Sequence, residues 1–279
     1  MLETIILGLI QGITEFLPIS SSGHLILPEK LLGFRDEGLS FMVAVHVGSL
    51  LAVVLYFFSD IRQLAVHWCL SIIKKPHDKT QSTLAWWVII ATIPAGLAGL
   101  LLKDIIEVIE GKEAVMILII SASMGFFGLL LWWADIKAKK DALTQKGQDE
   151  YQLTFKQTMV IGFAQALALI PGTSRSGITM TAALALGLTR KAASRFSFLL
   201  SIPLIVAAGL LLTKDLVEEP VNINWDSLWL GTLVSAISAY LCIHLFLKWI
   251  EKIGFLPFVI YRLVLSAILL VFGIQALSA

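Results

Sequence analysis

Residues 8–24 read Gly8-Leu-Ile-Gln11-Gly-Ile-Thr-Glu15-Phe-Leu-Pro18-Ile-Ser20-Ser21-Ser22-Gly23-His24, and residues 162–179 read Gly162-Phe-Ala-Gln165-Ala-Leu-Ala-Leu-Ile-Pro171-Gly-Thr-Ser174-Arg175-Ser176-Gly177-Ile-Thr179. Each is the end of an apolar run cut by proline, which ends or bends a helix. At 1.5 Å per residue, Met1–Leu17 reaches about 25 Å and Phe155–Ile170 about 24 Å, short of a hydrocarbon core about 30 Å thick. A Ser/Gly turn and a second short apolar piece follow each, Gly23–Leu32 and Gly177–Leu188. Helix, polar turn and half-helix describe a re-entrant hairpin. At a constant offset of 154 the pairs Gly8/Gly162, Gln11/Gln165, Ser20/Ser174, Ser22/Ser176, Gly23/Gly177, Leu32/Leu186 and Gly33/Gly187 are identical, which marks the hairpins as copies of one another.

The rest of the chain supplies full crossings. Of its 279 residues 57% are hydrophobic and 15% charged, far from the roughly 25% charged content of a soluble domain, so a water-soluble globule is excluded. Spanning segments are expected at 41–58, 84–102, 114–133, 196–213, 228–247 and 257–277, with Trp86, Trp87, Trp132, Trp133, Trp229 and Trp249 near their ends as an interfacial belt. The net charge of +1 gives no bulk attraction for nucleic acid. Cys69 and Cys242 lack CxxC spacing and read as packing residues. Met1–Leu17 carries Glu3 and Glu15 and no basic start, so it does not read as a cleavable signal peptide.

The expected fold is therefore an all-α integral membrane protein, with six transmembrane helices plus two re-entrant helical hairpins in an inverted-topology repeat. It forms a single membrane domain over 1–279, with repeats at 1–134 and 155–279. Three crossings per half invert the second copy, so that the polar turns enter from opposite faces and meet near mid-membrane. Lys and Arg then divide 14 to 5 between the two sides, with Arg175 and Arg262 set aside as intramembrane. The richer side is cytoplasmic by the positive-inside rule, which puts both termini on the extracytoplasmic side.

The turns carry the chemistry. Gln11 and Glu15, four apart, share a helical face pointing at Ser20, Ser21, Ser22 and His24. A carboxylate in a membrane segment costs at least roughly 2.5–3.5 kcal/mol and marks a functional site. In the second turn, Arg175 offers a planar donor fork suited to phosphate oxygens. Ser174, Ser176, Gly177 and Thr179 surround it where a helix N-terminus favours anions. The blander readings are a Glu15 that bonds only to its own turn and an Arg175 that serves only as a buried partner for Glu15. His46 and His244 sit singly on apolar helices and read as packing residues, while Arg262 is placed to snorkel outward.

With these residues in view, the sequence resembles the bacterial undecaprenyl-pyrophosphate phosphatases of the bacitracin-resistance type. Gln11-Gly-Ile-Thr-Glu15 is similar to that family's (E/Q)-x-x-x-E motif, and Pro171-Gly-Thr-Ser-Arg-Ser-Gly-Ile-Thr179 to its PGxSRSGxT motif. The likeness extends over nearly the whole chain. It implies hydrolysis of undecaprenyl pyrophosphate to undecaprenyl phosphate and inorganic phosphate in the bacterial plasma membrane. That reaction recycles the lipid carrier of cell-wall synthesis and confers bacitracin resistance. Carried over, the resemblance makes Glu15, Ser21, His24 and Arg175 catalytic, and Ser174, Ser176 and Thr179 phosphate-contacting. Ser20, Ser22 and Gly177 join these as candidate phosphate binders. Gln11 and Glu15 fall in the motif linked to a divalent cation, Mg or Ca, although a neutral Gln11 is a weak ligand for a hard cation.

The attacking group is Ser21, activated by His24 or Glu15, or a water activated by the same base. Expected partners are a polyprenyl diphosphate and membrane lipids, with no nucleic acid; a homodimer is compatible with the sequence. The alternative is a transporter or flippase of a phosphorylated lipid or small anion, since such proteins also place broken helices at a midplane site.

Overall fold

The computed structural model describes residues 1–34, 38–144, 146–218 and 224–278. Arg35, counted above on the sparser side of the charge division, lies outside them, and so does Ala279 at the end of the second repeat. The described chain is helical from end to end: α1 (Leu2–Phe16), α2 (Ser21–Leu32), α3 (Gly38–Tyr56), α4 (Phe58–Ile72), α5 (Lys79–Leu101), α6 (Lys103–Glu110), α7 (Glu113–Leu143), α8 (Phe155–Ala166), α9 (Arg175–Ala185), α10 (Arg190–Glu218), α11 (Trp225–Ile253) and α12 (Leu256–Ser278). Short 3₁₀ turns lie at Glu150–Gln152 and Leu167–Leu169. Six of these helices are long and apolar enough to cross a membrane, namely α3, α5, α7, α10, α11 and α12.

Several crossings run past the limits that hydropathy sets. The helix expected over 114–133 continues to Leu143, and the one expected from 196 begins at Arg190. Charge ends an apolar run without ending a helix, provided the charges find partners. Asp135 on α7 takes Arg190 of α10 at 2.6 Å. Arg195 bridges Asp60 at 2.7 Å and Glu150 at 2.5 Å. The extension of α10 is thereby tied to that of α7, to α4 and to the 150–152 turn. The helix α4 was hidden from the hydropathy reading by Asp60 and Arg62, which interrupt its apolar residues.

The two short helix pairs sit inside this frame. In the first, α1 packs on α11 and α3; in the second, α8 packs on α5. Exchanging α1, α3, α5 and α7 for α8, α10, α11 and α12 maps the α1–α11 and α3–α11 contacts onto α8–α5 and α10–α5, and it maps α3–α10 and α7–α12 onto themselves. The small residues follow the same exchange. A Cβ on Gly8 would meet the Gly231 carbonyl oxygen at 3.1 Å, and one on Gly162 would meet that of Ala91 at 2.8 Å. Close backbone approach at small residues is the usual way membrane helices pack. Here it lets α1 and α8 lie deep against α11 and α5.

Candidate active site

Both turns are built alike. Ser20 (φ 74°, ψ 101°) caps α2, and Ser174 (φ 70°, ψ 112°) caps α9. These are two of three non-glycine residues at positive φ among those described. Holding an L-residue there costs on the order of 1–3 kcal/mol and persists only where the surroundings enforce it. Each capping hydroxyl accepts from the glycine amide three residues on, Gly23 at 3.4 Å and Gly177 at 3.1 Å. Each also bonds the serine two residues on, Ser22 and Ser176, both at 3.2 Å.

The turns meet. Ser176 Oγ donates to the Leu17 carbonyl at 2.8 Å, and Arg175 Nη2 lies 2.8 Å from Glu15 Oε1. The other carboxylate oxygen, Oε2, accepts from Ser21 Oγ at 2.9 Å and from Gln11 Nε2 at 3.1 Å. Arg175 is held from behind by Nη1 donating to the Ser197 carbonyl of α10 at 3.2 Å, and its guanidinium lies 5.9 Å from the Phe16 ring centroid. Glu15 and Arg175 are thus joined in a nearly buried pair, with a serine hydroxyl on the carboxylate edge that the arginine leaves free.

This arrangement borders a cavity of about 580 Å³ whose polar lining comprises Glu15, Ser20, Ser21, Ser22, Ser174, Arg175 and His46. The remaining wall is mostly aliphatic, contributed by α3 (Met42, Val43, Val47) and α10 (Leu204, Ile205, Leu210) among others. The same cavity thus combines anion-binding donors and helix N-termini with an apolar wall.

Other expected site residues stand off the cavity wall. His24 is buried with both ring nitrogens engaged. Nδ1 donates to the Ser20 carbonyl at 2.6 Å, which leaves Nε2 to accept from the Tyr261 hydroxyl, also at 2.6 Å. Among the described residues His24 has no hydrogen bond to Glu15 or Ser21; its ring links the Ser20 carbonyl to Tyr261. Thr179 is fully buried and bonds the Arg175 carbonyl at 2.9 Å and Ser197 Oγ at 2.7 Å, tying α9 to α10. Ser176 and Gly177 are buried at the junction of the turns, and Gln11 stands behind Glu15.

Sequence reasoning missed two residues. His46 Nδ1 donates to the Met42 carbonyl at 2.7 Å, which turns Nε2 toward Glu15 Oε2, 3.8 Å away. The presence of an ionisable side chain in a span was the signal, and its isolation in the sequence argued the other way. Arg262 does not snorkel. It is fully buried, because carbonyls of both turns accept its hydrogen bonds.

Phe196 and Phe198 of α10 are fully buried. No group of three or more His, Cys, Asp or Glu residues that could hold a metal occurs among the described residues. Gln11 Oε1 is a buried oxygen without a partner, but it is the amide Nε2 that faces Glu15, so of the two only Glu15 presents an oxygen at the cavity wall, and Gln11 joins it as a cation ligand only with its amide turned over. Gln165, its counterpart in the second half, leaves the same atom unpaired but has Leu169 where Glu15 would be, which confines this reading to the first turn.

A family model described as Bacitracin resistance protein BacA matches residues 4–268. An undecaprenyl-diphosphatase from Alteromonas mediterranea is 56% identical over 272 residues, covering 98% of each chain. A protein named Undecaprenyl-diphosphatase 2 from Stutzerimonas stutzeri is 54% identical over 271 residues, covering 97% of each.

Proposed function

The chain belongs to the bacitracin resistance protein BacA family, and from that membership together with the geometry of the paired turns we propose that it hydrolyses undecaprenyl diphosphate to undecaprenyl phosphate and inorganic phosphate. The products return the lipid carrier to cell-wall synthesis and withdraw the diphosphate form, the basis of bacitracin resistance. The observation that carries this reading is the shared carboxylate: Glu15 holds Arg175 on one oxygen and Ser21 on the other at the wall of one cavity.

The diphosphate enters head first, its tail lying in the aliphatic slot between α3 and α10. Its oxygens replace Glu15 on Arg175 and take amides at the N-termini of α2 and α9. Stabilising charge on the transferring phosphoryl group is the dominant task in such chemistry. Glu15, freed from the guanidinium, accepts the Ser21 proton. Ser21 Oγ attacks the terminal phosphorus, the bridging P–O bond breaks, and the lipid monophosphate leaves with the bridging electron pair. Water then releases phosphate from the serine. In the competing route Glu15 activates that water directly; a phosphorylated Ser21 trapped from a slowed variant separates the two. His24 is assigned to bracing, and His46 is the imidazole that faces the reacting groups. A divalent cation, Mg or Ca, would be held by Glu15 and the diphosphate, with Gln11 Oε1 as a further ligand once its amide turns over, and would neutralise charge on the leaving phosphate.

The duplicated turn geometry and the exchange-symmetric packing support an inverted repeat of 1–134 and 155–279 with both hairpins re-entrant. Combined with the Lys/Arg division, this reading has the termini on the outer side of the plasma membrane. A transporter or flippase would use Arg175 and the amides but has no need of a serine hydroxyl bonded to a carboxylate.

Phosphate release from undecaprenyl diphosphate in detergent tests the function, because transport cannot contribute there. Wild type turns over, and Arg175→Ala and Glu15→Ala each lose at least about 100-fold, the scale of removing one transition-state donor. Chelator slows the wild type and magnesium restores it. Near-normal turnover by Arg175→Ala would overturn the assignment.

A further inference from the structure

Arg262 is the largest fully buried side chain of the described structure and lies on α12, one of the six apolar helices. Among the described residues the structure gives it no carboxylate. Its donors go to three backbone carbonyls: Nε to Met124 of α7 at 3.1 Å, Nη1 to Pro18 of the first turn at 3.1 Å and Nη2 to Gly172 of the second turn at 3.3 Å. A charge this deep is expensive unless hydrogen bonds compensate it. A core that needed only packing would fill the space with an aliphatic side chain.

The surroundings are shaped to admit it. A Cβ on Gly177 would fall 2.9 Å from Arg262 Nη1, and one on Gly128 would fall 3.4 Å from its Cβ. Gly172, whose carbonyl it takes, adopts φ 86° and lies so close to α7 that a Cβ would reach the Ile120 carbonyl oxygen at 2.6 Å. The adjacent Tyr261 holds His24. One turn of α12 therefore grips both polar turns at once.

We infer that Arg262 is a positioning residue for the phosphatase reaction: a donor fork that fixes the two turns against each other, and so sets Ser21 and Glu15 of one at working distance from Arg175 of the other. The inference rests on the function proposed above. The fork geometry matters more than the charge, because a lysine ammonium on a flexible stem lacks the planar fork that spans three fixed carbonyls. A misplacement of about 1 Å between reacting groups is enough to cost on the order of 100-fold in rate.

The test uses the full chain purified in detergent with undecaprenyl diphosphate as substrate. Arg262→Met and Arg262→Lys are compared with wild type for kcat and KM, with elution profile and helical circular dichroism as checks on folding. Both variants are expected to lose at least about 30-fold in kcat with KM changed less than about threefold. A lysine variant restored to within threefold of wild-type kcat would overturn the inference in favour of charge alone, and a methionine variant with near-normal kcat would overturn it outright.

A double-mutant cycle covers the case in which Arg262→Met does not fold. Gly177→Ala pushes against Nη1 and also against Ser174, whose Cβ lies 3.1 Å from the added atom, so it is expected to lower kcat about tenfold in wild type and at least about threefold less in Arg262→Lys, where the fork is gone but the Ser174 contact stays. Equal losses in both backgrounds would remove the coupling and the inference with it. Failure of wild type itself to release phosphate would sink the proposed function and not this reading alone.

Discussion

Glu15 shows how a single residue can be legible in sequence while its neighbours are not. A carboxylate four residues after a glutamine and just before a proline-serine turn is conspicuous in an apolar chain, and its pairing with Arg175 at 2.8 Å is what the cost of burying either charge alone demands. The imidazoles were harder to place. His24 is next to the hydroxyls in the sequence, yet the helix that begins at Ser21 carries its ring away from Glu15 and onto Tyr261, whereas His46, far away in sequence, faces the carboxylate. Proximity along the chain does not decide which imidazole faces the carboxylate, because helical direction decides where a side chain goes. If His24 braces the first turn through Tyr261, then Tyr261→Phe and His24→Ala each lower kcat, and the double variant is little worse than His24→Ala alone. A cycle measured on phosphate release checks this, with a coupling of at least about 0.5 kcal/mol expected for groups in one hydrogen-bonded pair. Additive losses would return His24 to an independent catalytic role.

At the scale of the elements, six crossings were readable from hydropathy because twenty apolar residues have few alternatives to a membrane helix. Their true ends were not, since Asp135, Arg190 and Arg195 stop an apolar run but find partners that let the helices continue. The two broken pairs were readable from proline and from the seven repeated residues. Thr4 and Thr158, also 154 apart, were overlooked, although both are fully buried on their helices; a threonine early in an apolar run looks unremarkable without knowledge of what it packs against. Contacts between elements were the least legible of all. A Cβ at position 12 would fall 2.0 Å from Ser238 Oγ and 2.5 Å from the Ser235 carbonyl oxygen of α11, so α1 must retreat to admit even an alanine. Gly12→Ala is expected to destabilise the protein by about 1–3 kcal/mol, the usual scale of overpacking. The loss is read as a lower midpoint of thermal unfolding in detergent, together with reduced kcat because α1 carries Glu15. An unchanged midpoint would mean that the α1–α11 contact is looser than the structure has it.

For the whole molecule, the question is how a substrate with a long apolar tail meets a polar centre without leaving the bilayer. On the function proposed above, the paired turns with Arg175 take the headgroup, and the aliphatic residues of α3 and α10 that line the same cavity take the tail. A tail that stays among lipid chains avoids re-exposing apolar surface, at about 0.8 kcal/mol for each methylene kept out of water. On that reading the head is bound by charge and the tail by burial, and the two parts are separable. Gly209 lies on the α10 side of the slot, and a Cβ there meets no other atom within 4 Å, so a large side chain at this position projects into the tail path without striking the polar turns. Gly209→Trp is expected to raise KM for undecaprenyl diphosphate about tenfold more than it raises KM for a short-chain farnesyl diphosphate, whose tail stops nearer the head. Phosphate release from the two substrates, compared side by side in one detergent, gives the ratio. If both KM values rise together, the tail leaves between another pair of helices, and α3 and α10 serve only to wall the headgroup site.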